Sequence, residues 1–268
     1  MALGFLYGSG GGGASIPEGS TVLPVGDAYT WQLCAAIKNP QYTTINEILA
    51  DATTLAHCIG SANATDYLVR STTFASAICA NATAMSLIGA SNYASDTLLA
   101  DSDWCEAICE SQYFGSVLND TVPAMTSATT PSGSVTASNY ATGSDPYKAF
   151  DGSASTIWNT QDSTTAVTRT ITYAFAGTCK ALVTTFEARN SSDLPYSPSS
   201  VTVKGSNDNS NWTTLTTFNI SNVSNKSIIS TPAAYKYYRC DCVAKLYSGS
   251  NKYMCRAAEI QFYGRKDV

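Results

Sequence analysis

Lys148-Ala149-Phe150-Asp151-Gly152-Ser153-Ala154-Ser155-Thr156-Ile157-Trp158 reads as a binding loop and not as a catalytic one. Asp151, Ser153 and Thr156 bring three oxygen side chains into a short span, and Gly152 lets the backbone turn sharply between them. Hard cations such as Ca²⁺ take six to eight oxygen ligands, with backbone carbonyls completing the set. The loop is shorter than an EF-hand loop and lacks its acidic pattern. Trp158 is placed to pin it onto a core.

On the C-terminal side the periodicity is that of strands. Val167, Arg169, Ile171, Tyr173 and Phe175 alternate with Thr168, Thr170, Thr172 and Ala174, a period of two that marks half-buried strands. Val201 and Val203 repeat it, as do Ile260 and Phe262. Gly205-Ser206-Asn207-Asp208 reads as a turn before Trp212. Short strands between polar turns predict an antiparallel β-sandwich.

Four strings in order, "AFDGSASTIW", "SPSSVTVKGSNDNSNWTTL" (Ser197 to Leu215), "YYRC" (Tyr237 to Cys240) and "AAEIQFYG" (Ala257 to Gly264), make Ser134 to Gly264 resemble the discoidin-like (coagulation-factor C-type, galactose-binding-like) domain. The resemblance implies a jelly-roll sandwich that binds sugars, lipids or proteins. It also implies an ion held by the Lys148 carbonyl, Asp151, Ser153, Thr156, the Ala258 carbonyl and Glu259. Ca²⁺ is the expected ion; Na⁺ also suits a site this weakly acidic. The alternative reading of Asp151 and Thr156 is a capped turn.

Upstream, residues 31–119 are helical in pattern. Thr44-Ile45-Asn46-Glu47 is a capping-box signature opening the apolar positions Ile45, Ile48, Leu49, Ala52, Leu55 and Ile59. Two stretches beginning at Asp66 and Asp96 match at a shift of 30 residues. The shift pairs Leu68 with Leu98, Phe74 with Trp104, and Ala77-Ile78-Cys79 with Ala107-Ile108-Cys109. Such short helices stack because none buries its apolar face alone. The expected order is a Gly-rich arm (1–30), a helical repeat or docking domain (31–119), a linker (120–133) carrying Pro123 and Pro131, and the sandwich (134–268), an α + β multidomain chain.

Composition excludes several functions. The formal net charge is −5 and no basic run occurs, so no phosphate backbone is expected as partner. No stretch reaches the length of a membrane helix. The apolar start Ala2-Leu3-Gly4-Phe5-Leu6-Tyr7 is too short for a secretory signal and has no positive residue before it. We therefore expect a chain made in a cytoplasm. Its nine cysteines lack any CxxC spacing and there is one histidine, His57, so buried thiols are expected over a zinc site. GxSxG, HExxH and Walker-type loops are absent, and catalysis is not expected.

The candidates for sugar contact are loop residues with a flat face or a polar tip: Tyr147, Arg189, Asn190, Tyr196, Tyr247 and Tyr253. The Gly-rich N-terminus, helical repeat, "VPAMTSATTPSG" joint and sandwich together resemble bacteriophage and prophage virion proteins. That resemblance implies a homo-oligomeric virion part, assembled in a host bacterial cytoplasm. Residues 1–119 would dock it to other virion subunits, head or tail, while the sandwich meets a host-surface glycan. The competing expectations are a purely structural capsid or tail decoration, and a surface-binding module of a bacterial protein.

Overall fold

The computed structural model describes residues 45–60, 62–69, 72, 75–229 and 232–265. The Gly-rich arm, Cys34, Thr44 and Phe74 lie outside them, as do the side chains of His57 and Cys58. The chain divides into two units, 1–117 and 118–268.

The first unit is built from short helices: α1 (Ile45–Ala50), α2 (Ala52–Gly60), α3 (Ala62–Leu68), α4 (Ala75–Cys79), α5 (Ala82–Ala90), α6 (Asn92–Ala100) and α7 (Ser102–Glu110). The helical run expected from Ile45 to Ile59 is broken at Asp51, whose carboxylate accepts the Thr53 N–H (2.8 Å) and starts a new helix. One residue makes each turn from α5 onward. Ser91 is extended (φ −109°, ψ 112°); its N–H closes α5 on the Ile88 carbonyl, and its hydroxyl accepts the Ala94 N–H to open α6. Asp101 does the same between α6 and α7, taking the N–H groups of Asp103 and Trp104. A single residue thus satisfies orphan groups of two helix ends.

Asp51, Asn81, Ser91, Asp101 and Ser111 are separated by multiples of ten residues, and the sequence has Ser61 and Ser71 at the same phase. Ile48, Leu68, Ile78, Ile88, Leu98 and Ile108 hold one position of this ten-residue repeat, and all are fully buried. Neighbouring helices pack in sequence except α3 and α4, and three helices pack on their third successors: α2 on α5, α3 on α6, α4 on α7. Three helices therefore complete one coil, and the 30-residue repeat in the sequence is that coil. Hydrogen bonds join successive coils, from Asn81 Nδ2 to the Leu49 carbonyl (3.3 Å), Ser111 Oγ to the Cys79 carbonyl (2.6 Å) and Trp104 Nε1 to the Val69 carbonyl (3.1 Å). The unit is a small helical solenoid whose stability comes from neighbouring coils.

The second unit is an antiparallel β-sandwich of twelve described strands. These are β1 (Asn119–Asp120), β2 (Ser134–Ala137), β3 (Trp158–Asn159), β4 (Thr168–Glu187), β5 (Ser200–Ser206), β6 (Thr213–Asn219), β7 (Ser224–Ile228), β8 (Ala234–Val243), β9 (Lys245–Tyr247), β10 (Lys252–Met254), β11 (Arg256–Ala257) and β12 (Glu259–Arg265). The order in the main sheet is β1-β12-β4-β8-β5-β6, with β2 and β7 also on β4. β4 is long because it serves two sets of partners. Its first half pairs with β8 and β2, its second with β12 and β7, and the β8 register breaks after Ala174 and resumes at Cys179 and Lys180. Tyr238 repairs that break: its buried hydroxyl donates to the Cys179 carbonyl (2.7 Å) and accepts the Ala181 N–H (3.0 Å).

The alternation seen in the sequence points inward as expected. Ile171, Tyr173, Val201, Val203, Ile260 and Phe262 join one core with Phe150, Trp158 and Phe186. Full burial of one such side chain stabilises by roughly 1.5–3 kcal/mol. Residues expected to form a linker behave differently. Thr121 donates its N–H to the Phe262 carbonyl (2.9 Å), Met125 donates its N–H to the Phe150 carbonyl (2.8 Å), and Val122 and Met125 are core residues. The start of the 120–133 segment thus packs as part of the sandwich through Val122 and Met125, while Ala124, Ala128 and Pro131 are exposed.

Among the described cysteines, Cys79, Cys240, Cys242 and Cys255 are buried thiols. Burial pushes the Cys79 and Cys255 thiols up to about 12, and Cys242 also rises, so they behave as small hydrophobes. Among the described residues no helix is long and apolar enough to cross a membrane.

Candidate functional site

Two clusters in the sandwich gather the candidate residues. The first is the 148–158 loop. A single 3-10 turn, Pro146–Ala149, leads into it and half-buries Tyr147 against the core. Gly152 has φ +73°, a left-handed conformation that glycine adopts without strain. The turn aims the Ser153 N–H at both Asp151 Oδ1 (3.0 Å) and Glu259 Oε1 (2.8 Å). Thr156 Oγ1 lies 2.9 and 2.7 Å from the two Asp151 oxygens and 3.0 Å from the Ser153 carbonyl. Trp158 is fully buried and donates its indole N–H to the Asn139 carbonyl (3.2 Å).

Asp151, Ser153, Thr156 and Glu259 thus meet at one point, although Glu259 lies on a distant strand. Among the described residues no Lys or Arg forms an ion pair with either carboxylate. Burial first, then the neighbouring Asp151 carboxyl, pushes the Glu259 carboxyl up to about 8. Two adjacent acids without a cationic partner, with the Thr156 hydroxyl and the Ser153 carbonyl beside them, fit a hard cation in donor type and in charge, while the Ser153 hydroxyl pairs with that of Ser155 (2.8 Å). Lys148 directs its ammonium to the Gly143 carbonyl (2.6 Å), away from this role, so only its carbonyl is a candidate ligand. Ala258 precedes Glu259 and donates its N–H to the Glu187 carbonyl (2.8 Å).

The second cluster lies where the 188–199 segment meets the β9–β10 hairpin. The rings of Tyr196 and Tyr247 stack with centroids 4.4 Å apart at a tilt of 39°. The Tyr196 phenol is raised by its hydrogen bond with Tyr247. The Arg256 guanidinium covers the Tyr196 ring at 4.4 Å. Its Nη1 donates to Asp193 Oδ1 (2.5 Å), and its Nε approaches Asn159 Oδ1 (3.5 Å). Arg189 Nε lies 2.6 Å from Asp193 Oδ2, an ion pair by distance whose N–H does not point along a hydrogen bond. The Asp193 N–H is received by the Asn190 side chain (3.1 Å), which ties the turn together.

Of the six residues singled out for sugar contact, Arg189, Asn190, Tyr196 and Tyr247 converge here. Tyr253 faces Leu246 across the hairpin, packs partly against the core and exchanges backbone hydrogen bonds with Ser163 (2.8 and 2.9 Å). Tyr147 belongs to the ion loop. Two residues that sequence reading missed hold the cluster: Asp193, 5% exposed at its side chain, and Arg256. The spacing Arg189 to Asp193 was the available signal; Arg256 gave none, because its partner Asp193 is 63 positions away.

The two clusters are mechanically joined. β3 pairs with β11, setting Trp158 against Ala257 and Asn159 against Arg256. The chain leaving the ion loop therefore meets the residue that stacks on Tyr196.

Residues 134–260 match the F5/8 type C domain. No curated protein matches the chain. Among solved structures, similarity is found to CBM32-3 from a family 31 glycoside hydrolase of Clostridium perfringens (20% identity, 48% of this chain and 88% of that one, TM-score 0.44). It is also found to chitosan-binding module 1 of a Paenibacillus sp. IK-5 chitosanase/glucanase (22%, 49% and 95%, 0.41). A third is the family 32 module of C. perfringens NanJ in complex with galactose (14%, 49% and 93%, 0.42).

Proposed function

We propose that the sandwich binds a carbohydrate between the 188–199 segment and the β9–β10 hairpin. The observation that carries this reading is the constellation of Tyr196 and Tyr247, held by Arg256 and Asp193 with Arg189 and Asn190 at its edge. Sugar sites combine an aromatic face, which receives ring C–H groups, with a few fixed polar groups that fix hydroxyl positions. Both parts are present here and are preorganised by side-chain contacts, which lowers the ordering cost of binding. The F5/8 type C match over the same residues supports a binding module.

A cation, Ca²⁺ in the first instance and Na⁺ as the weaker alternative, belongs to this reading. It would be held by Asp151, Ser153, Thr156, Glu259 and the carbonyls of Lys148 and Ala258. It would neutralise the paired acids and stiffen the route through β3 and β11 to Arg256.

The display setting is part of the same proposal and rests on the sequence resemblance. The helical unit would dock a homo-oligomer to other subunits of a phage or prophage particle, leaving the sandwich to meet a host-surface glycan. The full chain screened against a broad oligosaccharide panel tests the binding claim. Specific binding that is lost in Tyr247→Ala supports it. A blank panel from folded protein moves the assignment to structural decoration.

A further inference from the structure

The chain as a whole is acidic, with a formal net charge of −5. Its charge is unevenly placed. The two segments that build the aromatic cluster, 188–199 and 245–257, carry Arg189, Lys245, Lys252 and Arg256 against a single acid, Asp193. The neighbouring 160–169 segment, tied in through Ser163 and Tyr253, adds one charge of each sign, Asp162 and Arg169. The cluster is therefore net positive by three, on a protein whose total is negative.

The geometry prevents that excess from being internally neutralised. Asp193 faces two guanidinium groups, Arg189 at 2.6 Å and Arg256 at 2.5 Å, and one carboxylate balances only one of them. Arg189 is the outward member, with 40% of its side chain exposed, while Asp193 is 5% exposed. Arg256 is fixed in plane by the Tyr196 ring and by Asp193, so its orientation is set before a ligand arrives. Lys252 lies directly across from Tyr247 in the hairpin register, beside the ring a sugar would stack on. Two buried polar atoms at this end of the sandwich have no protein partner: Ser197 Oγ, next to Tyr196, and Arg169 Nε. Buried polar atoms are normally satisfied, and an unsatisfied one calls for a water or a ligand.

We infer that the ligand is an anionic oligosaccharide, one whose residues carry carboxylate or sulfate groups beside ring faces. The inference rests on the carbohydrate reading above and narrows it. A guanidinium fork matches a planar carboxylate or a sulfate edge through two parallel N–H···O bonds, and charge-assisted bonds are stronger than neutral ones. Asp193 holds the arginines apart and in register; the exposed face of Arg189, with Lys252, takes the ligand's charge. A neutral sugar would leave that positive excess unanswered.

The test is calorimetric titration of the full chain with matched pairs. One pair is an oligogalacturonate and its methyl ester, which keeps the ring and removes the charge. The other is a sulfated galactan oligosaccharide and its desulfated form. The inference predicts binding at least about tenfold tighter for the charged member of one pair. It predicts that this preference shrinks as salt rises from about 50 to 500 mM, because screening weakens exposed charge pairs. It also predicts that Arg189→Gln brings the ratio toward one. Preference for the first pair identifies a carboxylate and for the second a sulfate. Equal or tighter binding of the neutral members overturns the inference and leaves the carbohydrate reading standing. No binding to either pair or to a neutral panel removes both.

Discussion

Tyr196 and Tyr247 stack 4.4 Å apart although they come from different segments, and the Arg256 guanidinium lies over the Tyr196 ring at the same distance. The pair is the only contact among described aromatic rings made by these two side chains, and Arg256 also supports Tyr196. Tyr247→Ala should weaken oligosaccharide binding at least tenfold, about 1.4 kcal/mol, while the melting temperature stays near that of the parent. Tyr247→Phe keeps the ring and should retain most of the affinity. Calorimetry on both variants checks this, and equal losses would assign the role to the hydroxyl.

Cation binding should show in stability. A ligand that binds the folded state at a hundred times its Kd adds about 2.7 kcal/mol. Ca²⁺ added to metal-stripped protein is expected to raise the melting temperature by several degrees, and Asp151→Asn or Glu259→Gln should abolish that rise. Differential scanning calorimetry with and without EDTA reads it. An unchanged melting temperature at millimolar Ca²⁺ and Na⁺ would reduce the loop to a capped turn.

Thiol chemistry gives a pH dependence with a definite sign. Burial lifts Cys79 and Cys255 to about 12, above the ordinary thiol value near 8.5. A raised folded-state value stabilises the protein fully below the unfolded value and is lost as pH climbs toward the folded one. Stability should therefore hold to about pH 8.5 and decline above it. At pH 8 the buried thiols should resist alkylation, with the partly exposed Cys105 labelled first, as resolved by peptide mass spectrometry.

The helical unit predicts graded effects. Ser91→Ala removes the hydroxyl that caps α6, keeps the backbone N–H that closes α5, and should cost about 1 kcal/mol, while Ser91→Gly should cost only a few tenths. Gly89→Ala should be worse, because a Cβ there would fall 1.7 Å from the Ser116 carbonyl oxygen. Urea unfolding monitored by circular dichroism ranks the three.

Tyr238→Phe isolates the break in β4. It leaves the Ala181 N–H and the Cys179 carbonyl with a buried partner missing, an expected loss of about 1–3 kcal/mol. Denaturant unfolding of the variant measures that loss directly.

The fold was legible where local chemistry decides it. Asp151, Gly152 and Thr156 sit within one turn, and alternation at Val201, Val203, Ile260 and Phe262 needs no partner to be seen. Legibility failed where the tertiary structure decides. Arg256 meets Asp193 across 63 positions, and nothing near either one announces the other. The 30-residue repeat was visible because Ala-Ile-Cys recurs in identical letters. The ten-residue repeat beneath it was not, because it is written in residue classes: a small polar cap, then a buried aliphatic seven positions on. Residues 120–133 read as a joint from Pro123 and Pro131, yet Val122 and Met125 are claimed by the core.

Calorimetric titration of the full chain with oligosaccharides from the panel, run beside Tyr247→Ala, tests the carbohydrate site. Saturable binding by the parent is expected, with at least tenfold weaker binding by a variant that melts normally. Folded parent protein that binds no oligosaccharide, or a Tyr247→Ala variant that binds as well as the parent, would contradict it.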